Sequence, residues 1–418
     1  MAEENLSELL FKPKFSYPET STVSNSSFED LDNCYESELM GFSKYFYRPV
    51  TRFSWVLTGG NLLDIDEALA NICTSKATRT RPKLFDTVNE YGPGHWNFEF
   101  NSIAQKRVNL AKELSEKGDM VKAAHNYRMA SRYFAIAAHP NLKGDILADT
   151  SYALCRTTFR KVFECMPSLG IVEDVNYKCK DKSVNGLLLL PDRESLHPLV
   201  IIVVNYESYI TDYLHSYLNY LRPNNAAVLF LEMPGQGGSS ALNLEDHYSQ
   251  FIEDALDVMS EHKYIDSTCI SLLGSNISGA ACIRAARFKP EKIRAMALID
   301  PFVHSIFTEQ KMLDAFPACM RASVCNRIGL DAANWSFVNS LLKALSLKVQ
   351  ALLTPNGGCK IPTILCMDNN TIVSKDDVMY LKNHFSDLKM HQQKNASYSD
   401  FYSTALNEVC EFLKEKFI

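Results

Sequence analysis

The 418-residue chain contains no run of 18 apolar residues, so no transmembrane helix is expected. Its first residues, MAEENLSELLFKPK, lack a basic stretch followed by an apolar one, which argues against a secretory signal. None of the twelve cysteines forms a C-x-x-C pair, and there is no H-E-x-x-H. Zinc-type ligand spacing is therefore missing, and the cysteines read as reduced thiols used as small core residues. No basic run with interleaved aromatics occurs, which disfavours nucleic acid as a partner. The balance of 43 Lys plus Arg against 49 Asp plus Glu gives a net charge of −6 and again disfavours a polyanion. Together these absences predict a soluble chain in a reducing cytoplasm, with neither metal nor other cofactor.

With 46% hydrophobic residues, the chain can bury a large core, as two domains or one large one. Residues 1–50 are polar and Ser-rich and are expected to form a loosely structured arm on the body. Residues 51–165 carry a helical pattern. Its clearest segments are Ser102–Lys117, Met120–Ala137 and about Gly144 to Cys165. Gly118 suits the position just past a helix end, and Asp119 suits an N-cap. No repeat of fixed period is present.

From residue 166 to 418, short β-branched runs alternate with helical stretches. Strands are expected at Ile171–Lys178, Val184–Leu190, Leu199–Asn205, Ala226–Glu232, Thr268–Leu273, Ile293–Ile299, Thr363–Met367 and near Leu388–His391. The first two fit an antiparallel hairpin, and the later ones fit buried parallel strands with crossover helices. The expected class is α/β: an α/β-hydrolase fold with helices on both faces of a mostly parallel sheet, preceded by an α-helical domain. A mainly helical insertion at about 302–355 is expected to form a lid over the C-terminal edge of the sheet.

The most specific local feature is Ser271-Leu272-Leu273-Gly274-Ser275-Asn276-Ile277-Ser278-Gly279-Ala280. A strand, a sharp turn of small residues and a helix form the layout of the G-x-S-x-G nucleophile elbow. Here the apex is Asn276, whose amide is no acyl-transfer nucleophile. Asn tolerates left-handed φ better than most residues. Asn276 therefore either holds the turn or offers a polar group to a ligand. Ser275 and Ser278 beside it are expected to point away from the pocket.

Other candidates surround this apex. Glu207 follows the Leu199–Asn205 strand, in the loop that ordinarily supplies an oxyanion-hole amide; it reads as a surface carboxylate or as a desolvated acid–base group. Asp212 reads as a helix cap or a second site carboxylate. Asp300 and His304 follow the Ile293–Ile299 strand and read as an alternative acid and base, or as a cap and a packed imidazole. Tyr206 and Ile277 are the candidate substrate contacts. Asn370 stands where a triad acid is expected, Asp368 lies nearer its strand, and Gln392–Phe401 contains no histidine. Pro234-Gly235-Gln236-Gly237-Gly238 lacks a full dinucleotide fingerprint, and the elbow glycines are not followed by Lys-Ser/Thr.

Several longer stretches carry a resemblance. Asn5-Leu6-Ser7-Glu8-Leu9-Leu10-Phe11, Pro18-Glu19-Thr20-Ser21-Thr22, Asp86-Thr87-Val88 with Tyr91-Gly92 and Trp96, and Ala138 through Asp145 resemble motifs of the FrsA family (fermentation–respiration switch proteins). So do Thr211-Asp212-Tyr213, Met233-Pro234 with Ser239-Ser240, His304, and Ser346-Leu347-Lys348-Val349-Gln350. The resemblance implies a helical domain on an α/β-hydrolase domain and carboxylesterase activity on short acyl esters. It also implies a regulatory link between sugar uptake and fermentation, with the glucose-specific IIA protein of the phosphotransferase system as partner. The family commonly carries Arg at the elbow apex, and Asn276 departs from that. Two functions remain open from sequence: an ester hydrolase with a non-standard site, or a hydrolase scaffold that binds a metabolite or partner without turnover.

Overall fold

A computed structural model describes residues 41–330, 335–368, 373–393 and 398–417. Residues 1–40 of the expected arm, and Asn370, lie outside the described residues. Residues 41–50 differ from the loose arm expected there. Arg48 is fully buried, its backbone and guanidinium gripping Asp86 and its Nε donating to the His139 carbonyl at 2.9 Å. Phe42 and Tyr47 pack with Leu84 and Cys319. A charged residue so placed holds only when fully paired, which explains why this short segment is fixed.

The helical layer comprises α1 (Arg52–Leu57), α2 (Leu62–Thr74), α3 (Trp96–Glu116), α4 (Met120–Ala138) and α5 (Ile146–Cys165). Asp119 caps α4 by accepting from the Lys122 amide at 3.2 Å, and Gly118 before it takes φ +79°. Helix α3 starts six residues before the expected Ser102. Its N-cap, His95, makes no side-chain cap, so the sequence carries no start signal there.

Eight strands form one sheet: β1 (Ile171–Cys179), β2 (Lys182–Leu190), β3 (His197–Val204), β4 (Ala227–Glu232), β5 (Ile265–Ser275), β6 (Ala295–Ile299), β7 (Thr363–Asp368) and β8 (Leu388–Gln393). Their order is β1-β2-β4-β3-β5-β6-β7-β8. Strand β2 runs antiparallel to β1 and β4, and β3 to β8 are parallel.

Side chains alternate across each strand, and the alternation sorts two cores. Leu199, Ile201 and Val203 face a core with α6 (Gln250–Ser260), α7 (Asn276–Phe288) and α10 (Lys375–His384). Val200, Ile202 and Val204 face a second core, shared with α3 to α5 and α11 (Tyr398–Lys414). The helical layer is thus welded to one sheet face. Between β6 and β7 the chain forms short helices, including α8 (Ala318–Ile328) and α9 (Trp335–Leu342). Residues of this insertion reach over the C-terminal ends of the strands.

Among the described residues no helix is long and apolar enough to cross a membrane. The eleven described cysteines are all free thiols, and no described group of three or more His, Cys, Asp or Glu could hold a metal ion.

Candidate active site

The elbow forms where β5 turns into α7. The backbones pack so closely that a Cβ on Gly274 would meet the Ser278 carbonyl at 2.7 Å, and one on Gly279 would meet Pro301 at 2.9 Å. Asn276 sits at the apex with φ +50°. Its Oδ1 accepts from Asn205 Nδ2 at 3.2 Å, and its Nδ2 donates to the Asp300 carbonyl at 3.3 Å. The amide thereby ties the ends of β3, β5 and β6 together.

Ser275 and Ser278 cap α7 reciprocally: each side chain accepts from the other's backbone, and the Ser275 amide to Ser278 Oγ distance is 2.9 Å. Ser275 was expected to face away from the pocket, yet it belongs to the cavity wall. Its position as N-cap, immediately before the apex, brings it there.

A cavity of about 190 Å³ lies over this apex. Its polar end holds Asn205, Glu207, Asp212, Ser275, Asn276 and His139, and Tyr206 and Ile277 also line it. Its apolar wall comes from three sources: Trp55, Trp96 and Ile136 of the helical layer, Phe42 before it, and Phe302, Phe307, Phe316, Met320, Val324 and Leu342 of the insertion.

Glu207 supplies a buried, perturbed carboxyl to this wall. Burial raises its carboxyl to about 7, opposed by the Arg327 guanidinium. Its Oε2 is buried and accepts no hydrogen bond among the described residues. His139 Nε2 lies 3.5 Å from it. Burial, with Arg48 and Arg327 nearby, lowers His139 to about 3, so its ring is neutral at pH 7. Tyr209 Oη lies 3.3 Å from His139 Nδ1, and Cys319 Sγ lies 3.8 Å from Nε2.

Asp212 is committed elsewhere. It pairs with Arg132 and accepts from the Tyr209 amide at 2.7 Å. Burial raises its pKa and Arg132 opposes the rise. Tyr206 donates its hydroxyl to the Pro234 carbonyl at 2.9 Å, and its ring lies 5.3 Å from the Arg327 guanidinium carbon.

The structure does not bring His304 and Asp300 to the cavity surface. His304 Nδ1 lies 2.8 Å from Ser346 Oγ, with the ring near Tyr380. Phe302 and Phe307, on either side of it in sequence, take the cavity wall instead. Asp300 is buried beneath the apex, with φ +42°, and accepts from the Asp368 amide at 3.2 Å. Burial raises it to about 8. His391 sits in β8, where its Nδ1 lies 3.8 Å from Glu408.

Three groups escaped the sequence reading. His139 follows the expected helix Met120–Ala137 and precedes Pro140, with no pattern that marks a site. Asn205 passed for the last residue of a strand. Arg327, in α8, is fully buried and donates to the carbonyls of Gly235 (2.7 Å), Pro140 (3.0 Å) and Asn141 (2.6 Å). The only local hint was the unusual sequence Ala138-His139-Pro140 at the close of an otherwise regular helix.

The strand order, the elbow and the roofed cavity over the parallel strand ends define an α/β-hydrolase. A solved relative in fold is the 2,6-dihydroxy-pseudo-oxynicotine hydrolase, at TM-score 0.68 and 16% identity, covering 87% of this chain and 95% of that one. AbyA5 is a second, at TM-score 0.61 and 17% identity, covering 86% and 93%. The chain belongs to the Esterase FrsA-like family, which matches residues 1–418. It is 30% identical over 365 residues to an Esterase FrsA of Klebsiella pneumoniae, covering 87% of this chain and 86% of that one. It is 27% identical over 419 residues to an Esterase FrsA of Photobacterium profundum, covering 99% of each.

Proposed function

We propose that the chain is a carboxylic-ester hydrolase that works without a Ser-His-Asp triad, using Glu207 as the general base toward water. The observation that carries this reading is the buried Glu207 carboxyl, raised to about 7, with an unpartnered oxygen in the cavity that the elbow apex also lines. A base poised near the working pH is what proton transfer at neutrality requires. Asn276 offers no nucleophile, and both ends of its amide are engaged by the scaffold.

The reaction balances without an acyl-enzyme. Glu207 takes a proton from water as the oxygen attacks the ester carbonyl. The resulting oxyanion faces the first turn of α7, where the Ile277 amide has no intrahelical acceptor. Collapse breaks the carbon–oxygen bond, and Glu207 returns the proton to the leaving alcohol. The apolar wall holds the acyl or alcohol group out of water. Purified protein should hydrolyse short-chain aryl esters, and Glu207→Gln should lower the rate by about 100-fold or more with the fold intact. A Glu207→Gln protein as active as wild type would remove the base from the scheme.

A second reading, binding without turnover, is favoured by the committed Asn276 amide. It predicts saturable ligand binding with no hydrolysis above a mock-purified control. Family membership alone supports extending the proposal to a cytoplasmic protein that links fermentation to sugar uptake through the glucose-specific IIA protein. Failure of the two purified proteins to associate would withdraw that extension.

A further inference from the structure

The imidazole absent from the segment after β8 has a counterpart in the cavity, and it comes from the helical layer. His139 closes α4, lines the cavity, and places Nε2 3.5 Å from the unpartnered Oε2 of Glu207. Three neighbours fix this ring. Its backbone carbonyl accepts from Arg48 Nε at 2.9 Å. Its Nδ1 lies 3.3 Å from the Tyr209 hydroxyl. The next two carbonyls in the chain accept from Arg327. If the Tyr209 O–H donates to Nδ1, the single proton of a neutral ring lies on Nε2, facing Glu207 at 3.5 Å and the weaker acceptor Cys319 Sγ at 3.8 Å.

We propose that His139 is the positioning residue for Glu207: its Nε2–H donates to the Glu207 carboxylate once that group has lost its proton, and so holds the base against the cavity. The present separation is that of a resting site, and such contacts tighten when charge develops. The helical layer is then part of the catalytic unit. This proposal rests on Glu207 being the base.

Several described groups face Glu207. Arg327 and Cys319 approach from α8, Tyr209 from its own loop and His139 from α4. Arg327 is bound to three backbone carbonyls, and burial pushes the Cys319 thiol well above its ordinary range. His139 is thus a neutral donor whose removal alters the carboxylate's hydrogen bonding without changing any charge.

The test uses the full chain. Carbon-13 NMR of glutamate-labelled protein, with Glu207 assigned by its loss in Glu207→Gln, reads the carboxyl titration directly and needs no turnover. His139→Phe should raise the Glu207 midpoint by about one pH unit or more, because the carboxylate loses a donor. His139→Gln, which retains an N–H donor, should stay within about half a unit of wild type. The acidic limb of the pH–rate profile should move by the same amount. An unmoved or lowered midpoint in folded His139→Phe overturns the proposal. If that variant does not fold, nitrogen-15 shifts of the wild-type imidazole decide: a proton on Nε2 supports the proposal, and one on Nδ1 overturns it. The NMR titration tests His139 even where Glu207→Gln shows that Glu207 is not the base, so the two failures are distinguishable.

Discussion

The Asn276 side chain lies between Asn205 and the Asp300 carbonyl, accepting from one at 3.2 Å and donating to the other at 3.3 Å. At the position where a hydrolase elbow ordinarily presents its nucleophile, this chain presents a clamp. Three strand ends that together form the cavity floor are joined through one amide. The left-handed φ of +50° suits Asn better than any residue except Gly. Geometry and hydrogen bonding therefore both select the same side chain.

Asn276→Ser should not create a fast serine hydrolase. A hydroxyl needs an adjacent base, and the neutral His139 is engaged by Tyr209. Ester hydrolysis should stay within about tenfold of wild type, a barrier change of about 1.4 kcal/mol. A gain of roughly three orders of magnitude in kcat/KM would show a poised base. Urea unfolding should rank Asn276→Ala below Asn276→Gly by about 1 kcal/mol, because only Ala strains the turn.

Ser275→Ala and Ser278→Ala should each cost about 1 kcal/mol of stability through the lost cap. Any esterase activity should remain within about threefold, since both hydroxyls serve α7. Rapid covalent labelling of either serine by a fluorophosphonate, read by mass spectrometry, would contradict this.

Arg327→Met should lower stability by about 3 kcal/mol, because three buried carbonyls lose their donor. Arg327→Lys should recover little of this, since an ammonium cannot reproduce the planar fork. The Met variant should also raise the Glu207 midpoint, because the guanidinium that opposes the rise is gone. Equal urea midpoints for wild type and Arg327→Met would refute the clasp.

Glu207 and Asp300 should each contribute a loss of stability as pH rises from about 4 towards 8. Glu207 stands at about 7 when folded against an ordinary 4.5, and Asp300 at about 8 against 3.8. Between those limits each of these two carboxyls binds more protons folded than unfolded, so for them raising the pH favours unfolding, whereas His139, lowered to about 3 by burial, acts in the opposite sense below about pH 6.5. For Glu207 the contribution is present below about pH 4.5 and is lost through pH 7, on the order of 3 kcal/mol. Glu207→Gln and Asp300→Asn should each flatten this slope in thermal denaturation between pH 5 and 8. Parallel profiles for wild type and both variants would exclude the two carboxyls as its source.

The amino-acid sequence by itself determined the sheet, the elbow and the floor of the cavity. Alternation and β-branched runs mark strands locally, and the boundaries of β2, β4, β6 and β7 differ from expectation by no more than two residues. Strand β5 begins earlier than Thr268 because Ile265 pairs with His197 of β3 ahead of a register shift, which leaves the polar Asp266 and Ser267 inside the strand. Small residues around Asn276 announce the close approach of β5 and α7. Asn276, Glu207, Asp212, Tyr206 and Ile277 meet because the loops that follow successive parallel strands open on one edge. Tertiary structure alone decided the rest. His139 and Glu207 belong to different layers, and His139 meets Cys319 across 180 residues of chain. Arg327 reaches Asn141 across 186. Such contacts leave no period or spacing in the sequence; they exist only once the helical layer and the insertion have packed on the sheet. The same packing turned His304 away towards Ser346 and filled its expected place with Phe302 and Phe307. Local patterning fixes where the chain turns, whereas the desolvation that sets the character of Glu207 is a property of the closed cavity.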